Sequence, residues 1–254
     1  MKNSVETAAK MIREVKHSTA FTGAGISVES GIPPFRGPDG LWSKYDPVFL
    51  EISYFMNHPR QSWKLIKEIF YDYFGKARPN PAHFVLAEME TSQWLHSIIT
   101  QNIDNLHQEA GSQTVYEFHG TSQTLVCIDC GKKCPVNEID LGVLPPLCPV
   151  CSGLLKPDFV FFGEPIPAYA LENSIRETEI ADLFLVIGTT GEIMPASTLP
   201  FQAKSNGAKI VEINTVPSAY THEITDIFLQ GKASVVMQHL LQQLKAGNGN
   251  NLSE

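Results

Sequence analysis

Residues 18–37, "STAFTGAGISVESGIPPFRG", decide the fold. The run begins with apolar and small residues and ends in glycine, which is typical of a buried parallel strand that leads into a loop. The loop starts like the dinucleotide-binding fingerprint Gly-x-Gly-x-x-Gly, but Val28 stands at the third glycine position. Pro33 and Pro34 also limit any following helix to about two turns. The chain therefore opens like a nucleotide-binding sheet and lacks the usual long phosphate-binding helix.

Four later apolar runs end in small or polar residues, as the first one does. They are "LHSIITQNID" (95–104), "TVYEFHG" (114–120), "ADLFLVIGTTG" (181–191) and "AKIVEINT" (208–215). Helical patterns lie between or after them: "NPAHFVLAEMETS" (80–92), "IPAYALENSIRETEI" (166–180), "PASTLPFQAKSNG" (195–207) and "KASVVMQHLLQQLKAG" (232–247). In the first of these, Asn80 is placed as an N-cap and Pro81 at the first helical position. This alternation predicts an α/β fold with a doubly wound, Rossmann-like parallel sheet. The five polar strand ends then share one edge, where ligands bind.

Two segments do not follow the alternation of strands and helices. Residues 36–75 are rich in aromatics and prolines and predict a helical insertion, whereas residues 121–156 contain all five cysteines. Together they predict a smaller lobe above the sheet edge. The Rossmann-like domain then consists of residues 1–35, 76–120 and 157–245, followed by a disordered tail at 246–254.

The charge balance bears on possible partners. The net charge is −8, from 19 basic and 27 acidic residues, so direct nucleic-acid binding is not expected. A basic protein or peptide substrate suits this charge slightly better. No run of 18 apolar residues occurs, and the polar N-terminus lacks the apolar centre of a secretory signal. We therefore expect a cytoplasmic protein without a membrane partner, and the sequence leaves its oligomeric state open.

The cysteines form two Cys-x-x-Cys pairs separated by 17 residues: Cys127 with Cys130, and Cys148 with Cys151. This spacing is typical of a tetrahedral four-thiolate zinc site, in which no coordination position remains for water or substrate. The predicted zinc is therefore structural. Two disulfides or free thiols are the alternative, which is less common in a chain of this length without a secretion signal. Cys134 is interpreted as a spare thiol, although a fifth cysteine leaves some ambiguity about which four bind.

The polar strand ends carry the candidate chemistry. Gln101, Asn102 and Asp104 offer amide and carboxylate groups to a ribose or a carboxamide, while helix capping is the simpler explanation for Asn102 or Asp104. His119 is a candidate general base because a neutral imidazole titrates near physiological pH, although most histidines are surface or core residues. "GTTG" (188–191) and "INT" (213–215) suit phosphate and ribose oxygens, with ordinary turn chemistry as the alternative.

The combination of motifs resembles the sirtuin family of NAD-dependent protein-lysine deacylases. The matching stretches, in the family's order, are "GAGISVESGIPPFRG", "TQNIDNLHQEAG", "EFHG", the two cysteine pairs, "KPDFVFFGE", "GTTGEIMPA" and "INT". In that family the segment after "GAGIS" is a loop that orders over NAD, which explains the shortened phosphate-binding turn.

The resemblance implies a role for each matched residue. His119 would be the general base and Asn102 a second catalytic residue. The segment 160–164 (Val160, Phe161, Phe162, Gly163 and Glu164) would pair with the substrate peptide by strand addition. NAD would be held by Gly23, Ala24, Gly25, Ser27, Val28, Phe35, Arg36, Gln101, Asn102, Ile103, Asp104, Gly188, Thr189, Thr190, Asn214, Thr215, Lys232 and Ala233.

The implied reaction consumes NAD as a co-substrate. The acyl oxygen of the substrate lysine attacks C1′ of the nicotinamide ribose and expels nicotinamide. His119 then deprotonates a ribose hydroxyl, which attacks the acyl carbon, and water completes the release of lysine and an O-acyl-ADP-ribose. The implied partners are acyl-lysine proteins or peptides.

Two departures from the family pattern concern the cofactor loop and the adenosine contacts. Pro34 replaces a common Asp, and Gly191 replaces an aliphatic residue. Members that remove succinyl or malonyl groups carry a Tyr-x-x-Arg pair, which a gap-free alignment places at Ile66 and Ile69. An apolar pair offers no partner to an acidic acyl group, so uncharged acyl groups are expected to be preferred.

Two alternatives remain open at this stage. A sirtuin-like mono-ADP-ribosyltransferase or NAD hydrolase would share every NAD-binding residue. A zinc-ribbon binding module would explain the four cysteines but neither the net charge nor the five polar strand ends.

Overall fold

The computed structural model describes residues 2–35 and 40–248. Its strands are β1 (Ser18–Thr22), β2 (Ser97–Thr100), β3 (Val115–Glu117), β4 (Gly120–Cys127), β5 (Lys133–Pro135), β6 (Leu155–Phe159), β7 (Leu183–Ile187), β8 (Lys209–Asn214) and β9 (Ile227–Gln230). Its α-helices are α1 (Lys2–Glu14), α2 (Ile52–Asn57), α3 (Pro59–Ile66), α4 (Pro81–Thr91), α5 (Leu106–Glu109), α6 (Ala168–Ile180), α7 (Leu199–Ser205) and α8 (Ala233–Asn248). None of the helices in these two ranges is long and apolar enough to span a bilayer.

The larger sheet is parallel throughout, in the order β3-β2-β1-β7-β8-β9. Thr22 lies level with Thr100 on one side and with Ile187 on the other, so the loops after these three strands start at the same edge. From β1 the chain adds β2 and β3 on one side, and then β7, β8 and β9 on the other side of β1. This reversal of strand order places a crevice at the carboxyl edge, between the loops after β1 and β7. The predicted Rossmann-like α/β sheet is thus confirmed.

All five strands expected from the sequence belong to this sheet, whereas β9 was not predicted. β9 has only four residues, Ile227–Gln230, and two of them are only half-buried, so its apolar pattern is weak. The helix predicted after Asn80 is present as α4. The Asn80 side chain accepts a hydrogen bond from the Ala82 N–H at 2.9 Å, and His83 completes a capping box.

The smaller lobe combines a three-stranded antiparallel sheet, in the order β5-β4-β6, with the helices between β1 and α4. A π-helical segment, Lys67–Tyr73, follows α3 directly. The two parts share one hydrophobic core, which includes Trp63 and Phe70 from the helices and Leu125 and Cys148 from the cysteine-rich module. The confirmed zinc-ribbon-like and helical lobe is therefore packed as one unit.

The sequence predicted a disordered tail from residue 246, but residues 246–248 are helical. Helix α8 continues to Asn248 because it packs on α1 through Leu240 and Leu244, both fully buried. The Arg13 guanidinium of α1 also donates to the Gln243 carbonyl oxygen at 2.9 Å, which ties the last turns of α8 to α1. Residues 249–254 lie outside the described residues.

Candidate active site

A cavity of about 1050 Å³ lies between the carboxyl edge of the large sheet and the smaller lobe. It is lined by most of the residues that the sequence singled out: Gly23, Ala24, Gly25, Val28, Phe35, Gln101, Asn102, Ile103, His119, Val160, Phe161, Phe162, Gly163, Glu164, Gly188, Thr189, Thr190, Asn214, Thr215, Lys232 and Ala233. Ser27 and Asp104 lie behind this wall, and Arg36 lies outside the described residues. The volume of the cavity is at the upper end of the range for ligand-binding sites.

The floor of the cavity is a close approach of two strand ends, after β1 and after β7. The Gly25 N–H donates to the Gly188 carbonyl oxygen at 2.8 Å. A Cβ on Gly25 would lie 2.6 Å from the Gly188 Cα, and Gly188 has φ +63°, so neither position has room for a side chain. The short 3₁₀ helix Ala24–Ser30 then ends at Gly31, with φ 91°, before the two prolines. This agrees with the prediction of a shortened turn.

Asn102 is anchored from behind by its side-chain amide. Its Nδ2 donates to the Gly23 carbonyl oxygen at 3.3 Å and to Ser27 Oγ at 3.2 Å. Its backbone N–H donates to Thr100 Oγ1 at 3.1 Å. The two amide bonds fix the side chain, the third bond fixes the backbone, and the residue is only 5% exposed; both its neighbours, Gln101 and Ile103, also line the cavity.

Asp104 supports this arrangement from outside the cavity. One oxygen of its carboxylate accepts the N–H of Leu106, the first residue of α5, at 3.1 Å, although Asn105 and not Asp104 is the N-cap residue of that helix. The other accepts the Ser27 hydroxyl at 2.7 Å. Burial raises the pKa of Asp104, while the Ser27 and Leu106 donors oppose this rise. Asp104 thus holds Ser27, which in turn holds Asn102.

His119 follows β3 and lines the cavity, with a fixed ring orientation. Its Nδ1 lies 3.0 Å from the carbonyl oxygen of Gln101. A carbonyl oxygen only accepts, so Nδ1 must carry the hydrogen and the lone pair is on Nε2. Burial lowers the pKa of His119, and the bond to Gln101 opposes this effect. The imidazole is therefore neutral near pH 7 and able to accept a proton.

The loops after β7, β8 and β9 provide polar groups on the other side of the cavity. The Gln101 amide donates to Thr189 Oγ1 at 3.1 Å, and Asn214 Nδ2 donates to the Thr189 carbonyl oxygen at 3.0 Å. Glu29, which sequence reasoning missed, also lines the cavity and bonds to the Ser234 hydroxyl and N–H at the start of α8. No motif indicated that contact, because the two residues are 205 positions apart.

The segment 160–164 forms the opposite wall, and several of its N–H groups are already bonded. Val160 donates to the His119 carbonyl oxygen at 2.9 Å, Phe161 to Glu164 Oε2 at 2.8 Å and Phe162 to the Leu50 carbonyl oxygen at 2.9 Å. Strand addition of a peptide here must therefore use other backbone groups. Among the described residues, the Gly163 N–H and the Val160 carbonyl have no partner.

The structure does not place Ile66 and Ile69 in the cavity wall, where the sequence alignment expected them. Both side chains are buried in the core of the smaller lobe, at 0% and 2% exposure, and neither lines the cavity. Phe70 does line it, together with Trp42, Leu50 and Phe159. Phe70 lies in the π-helical segment, where the wider turn changes which residues face inward, so spacing counted along an α-helix fails.

The four predicted cysteines lie together in the smaller lobe. All of their Sγ atoms are within 4.8 Å of one another, and two of the Sγ–Sγ distances are 3.4 and 3.8 Å. Zinc–sulfur bonds of about 2.3 Å in a tetrahedron require sulfur atoms about 3.8 Å apart, so this cluster fits a zinc ion. All five cysteines are free in the structure, which favours zinc over the disulfide alternative, and Cys134 lies in β5 outside the cluster.

Two buried histidines behind the cavity were not predicted as site residues. His83 accepts the Asn80 N–H at Nδ1 and faces Ser27 Oγ across 3.5 Å, and its ring lies 5.0 Å from that of His107. Burial lowers the pKa of His83 to about 4 and that of His107 well below its usual value. Both are therefore neutral in the folded protein at physiological pH.

We expect these histidines to make folding stability fall as the pH drops. Their pKa values are lower in the folded than in the unfolded chain, so their contribution is complete above about pH 6.5 and is lost towards pH 4. For His83 the difference amounts to roughly 3 kcal/mol. Urea unfolding at pH 7.5, 6 and 5 measures how the free energy of unfolding changes with pH. His83→Gln should show a shallower pH dependence, and equal slopes for variant and wild type would contradict the prediction.

Comparisons with known proteins identify the family. A Pyrobaculum aerophilum protein called NAD-dependent protein deacylase 2 is 43% identical over 245 residues, covering 93% of this chain and 94% of the relative. A solved Sir2 homologue–NAD complex has a TM-score of 0.88 at 39% identity, covering 95% of this chain and 94% of that one. A Sir2–p53 peptide–NAD+ structure has a TM-score of 0.86 at 33% identity, covering 95% and 98%. Residues 23–195 match the Sir2 family, and the chain belongs to that family.

Proposed function

We propose that this chain is an NAD-dependent protein-lysine deacylase that releases nicotinamide, free lysine and an O-acyl-ADP-ribose. The observation that carries the proposal is the neutral His119, which lines the same cavity as Asn102 and keeps its Nε2 lone pair free of the bond to Gln101. The names of the relatives support the class of reaction, and the Sir2–peptide structure supports a peptide substrate.

The donor set of the cavity fits NAD. Side-chain amides of Gln101 and Asn214 and hydroxyls of Thr189 and Thr190 suit ribose and carboxamide groups. Lys232, which precedes α8, supplies a positive charge for the phosphates. The apolar side chains in the same wall suit the planar rings. NAD supplies the ADP-ribose group that takes the acyl group, and nicotinamide leaves.

The chain's own residues then have separable tasks. Asn102, held by Gly23 and Ser27, orients the ribose and a water molecule from a fixed amide. His119 Nε2 takes the proton of a ribose hydroxyl, and the Gln101 carbonyl oxygen stabilises the imidazolium through Nδ1–H. Segment 160–164 presents its free Gly163 N–H and Val160 carbonyl to the peptide backbone.

One product assay tests this proposal. The purified protein is incubated with NAD and an acetyl-lysine peptide, and the products are identified by mass spectrometry. We expect free lysine peptide, nicotinamide and O-acetyl-ADP-ribose in equal amounts. Nicotinamide release without peptide conversion would indicate an NAD hydrolase, and ADP-ribose attached to protein would indicate a transferase; either result as the main outcome overturns the proposal.

The acyl preference is a further part of the proposal. The wall beside the peptide segment is apolar and is formed by Trp42, Leu50, Phe70, Phe159 and Phe161. Among the described cavity residues the only cation is Lys232, at the beginning of α8. A succinyl or malonyl carboxylate would thus lose its water shell without a cationic partner, at a cost of several kcal/mol.

We therefore expect acetyl-lysine to be preferred over succinyl-lysine by about a hundredfold or more in kcat/KM. The measurement compares one peptide carrying acetyl, succinyl or malonyl lysine, with NAD saturating. A longer fatty acyl chain on the same peptide gains about 0.8 kcal/mol per buried methylene if the apolar wall accepts it. Succinyl removal as fast as acetyl removal would show that the acyl preference is wrong.

A further inference from the structure

A buried ammonium group lies behind the peptide-binding wall. Lys156, in β6, is only 6% exposed. Its Nζ donates to the carbonyl oxygens of Pro157 and Phe159 at 2.9 and 2.8 Å and forms an ion pair with Glu164 Oε2 at 2.9 Å. It also lies 4.1 Å from the centre of the Phe161 ring. All three ammonium hydrogens therefore have acceptors within the short stretch 157–164.

The Glu164 carboxylate completes a set of contacts that joins Lys156, Glu164 and the backbone of residues 157–161, and we call this set the clasp. Its Oε2 accepts the Phe161 N–H at 2.8 Å as well as the Lys156 ammonium. Although Glu164 matches a family position expected to bind substrate, its carboxylate is engaged inside the wall. The two charged side chains join the start of the segment, at β6, to its end after Phe162.

The burial of Lys156 has an energetic cost that its hydrogen bonds offset only in part. Burial lowers the pKa of Lys156, and the nearby Glu164 opposes this fall. Buried ion pairs add little net stability compared with apolar side chains of similar volume. The Lys156–Glu164 ion pair is therefore better explained by the backbone conformation that it imposes on residues 159–164 than by a gain in stability.

We propose that Lys156 is a positioning residue for acyl-peptide binding: with Glu164 it holds the backbone of 159–164 in the shape that forms the peptide-facing wall. This rests on the proposed function. The rings of Phe159 and Phe161 lie 5.3 Å apart and line the acyl side of the cavity. The Val160 N–H bonds to the His119 carbonyl, so the same segment meets the candidate base. The hydrogen bonds and the ion pair described for the clasp join residues within 156–164 only.

The test compares Lys156→Met with Lys133→Met. Lys133 is a matched control because it lies in β5 of the same small sheet, pairs with Asp158 and is 65% exposed at its side chain. We expect Lys156→Met to raise KM for the acetyl peptide about tenfold or more, as loss of a charged hydrogen bond does, with KM for NAD within about twofold. Hydrogen exchange of the amides of Phe161 and Phe162 should accelerate in this variant and stay at the wild-type rate in the control.

Glu164→Gln provides a second route if Lys156→Met does not fold, since it removes the charge from the more exposed partner. The same change in peptide KM and in exchange is expected. Unchanged peptide KM with unchanged exchange, or an equal rise in both KM values, overturns the role of Lys156. A wild-type protein without deacylase activity would instead overturn the proposed function, and the exchange comparison would still decide whether the clasp holds the segment.

Discussion

His119→Ala is expected to lower kcat for deacylation by about 10²–10⁴-fold, the usual cost of losing a general base, while the protein stays folded. The ring donates one hydrogen bond, from Nδ1 to the Gln101 carbonyl oxygen, packs edge-on against Phe118 and lines the cavity, so its removal enlarges the cavity and opens no separate void in the core. His239→Ala is the control, because His239 is an exposed residue of α8. A near wild-type rate for purified His119→Ala would contradict the assignment of the base.

The proposed order of steps makes this prediction more specific. Nicotinamide leaves before the ribose hydroxyl is deprotonated, so the variant should still exchange labelled nicotinamide into NAD in the presence of acyl peptide. Loss of exchange and of deacylation together would indicate that His119 supports binding. A kcat defect with retained exchange would locate its action in the later proton transfer.

The pH profile of the wild type provides an independent check on His119. Burial lowers the pKa of this base below its ordinary value of about 6.5. A base with a lowered pKa stays unprotonated to lower pH, so the acid limb of the pH profile of kcat/KM should have its midpoint below pH 6.5. Assays must be short, because the buried His83 and His107 make the fold itself less stable there.

The sequence predicted the part of the site at the strand ends well. That part depends on where each apolar run ends and on which polar residues follow it. Five apolar runs end in polar residues, and a parallel sheet must bring such ends to one edge. His119 and Asn102 are separated by 17 positions in the chain but lie on adjacent strand ends for this reason. The cysteine spacing was equally informative, since two tight pairs suffice to build a tetrahedral cluster.

The smaller lobe was less predictable because side-chain direction there depends on packing. The π-helical segment moves Phe70 into the cavity wall and buries Ile69, a difference that α-helical spacing does not reveal. The Lys156–Glu164 clasp depends on a chain reversal at Gly163, where φ is 92°. Both features arise from local backbone geometry, which the residue types permitted but did not specify.

Cys148→Ser is expected to remove the zinc and unfold the smaller lobe. Cys148 and Cys127 are 2% and 1% exposed and belong to the core shared with Trp63 and Phe159. Zinc binding at structural cysteine sites contributes about 10–16 kcal/mol, and this binding energy is also folding energy. A typical domain is stable by about 5–15 kcal/mol in total, so loss of the ion removes an amount comparable to the whole stability of a domain.

Cys134→Ser is the matched control for this change. Cys134 is also buried, at 3% exposure, and lies in the same small sheet, but it is not part of the four-cysteine cluster. We expect elemental analysis to find one zinc per chain in the wild type and in Cys134→Ser, and less than half of that in Cys148→Ser, which should also be poorly soluble. Because the lobe carries the Phe159 and Phe161 wall of the cavity, Cys148→Ser should lose deacylation without any change to His119 or Asn102. A zinc-free wild type, or a fully stable and active Cys148→Ser protein, would exclude a structural zinc.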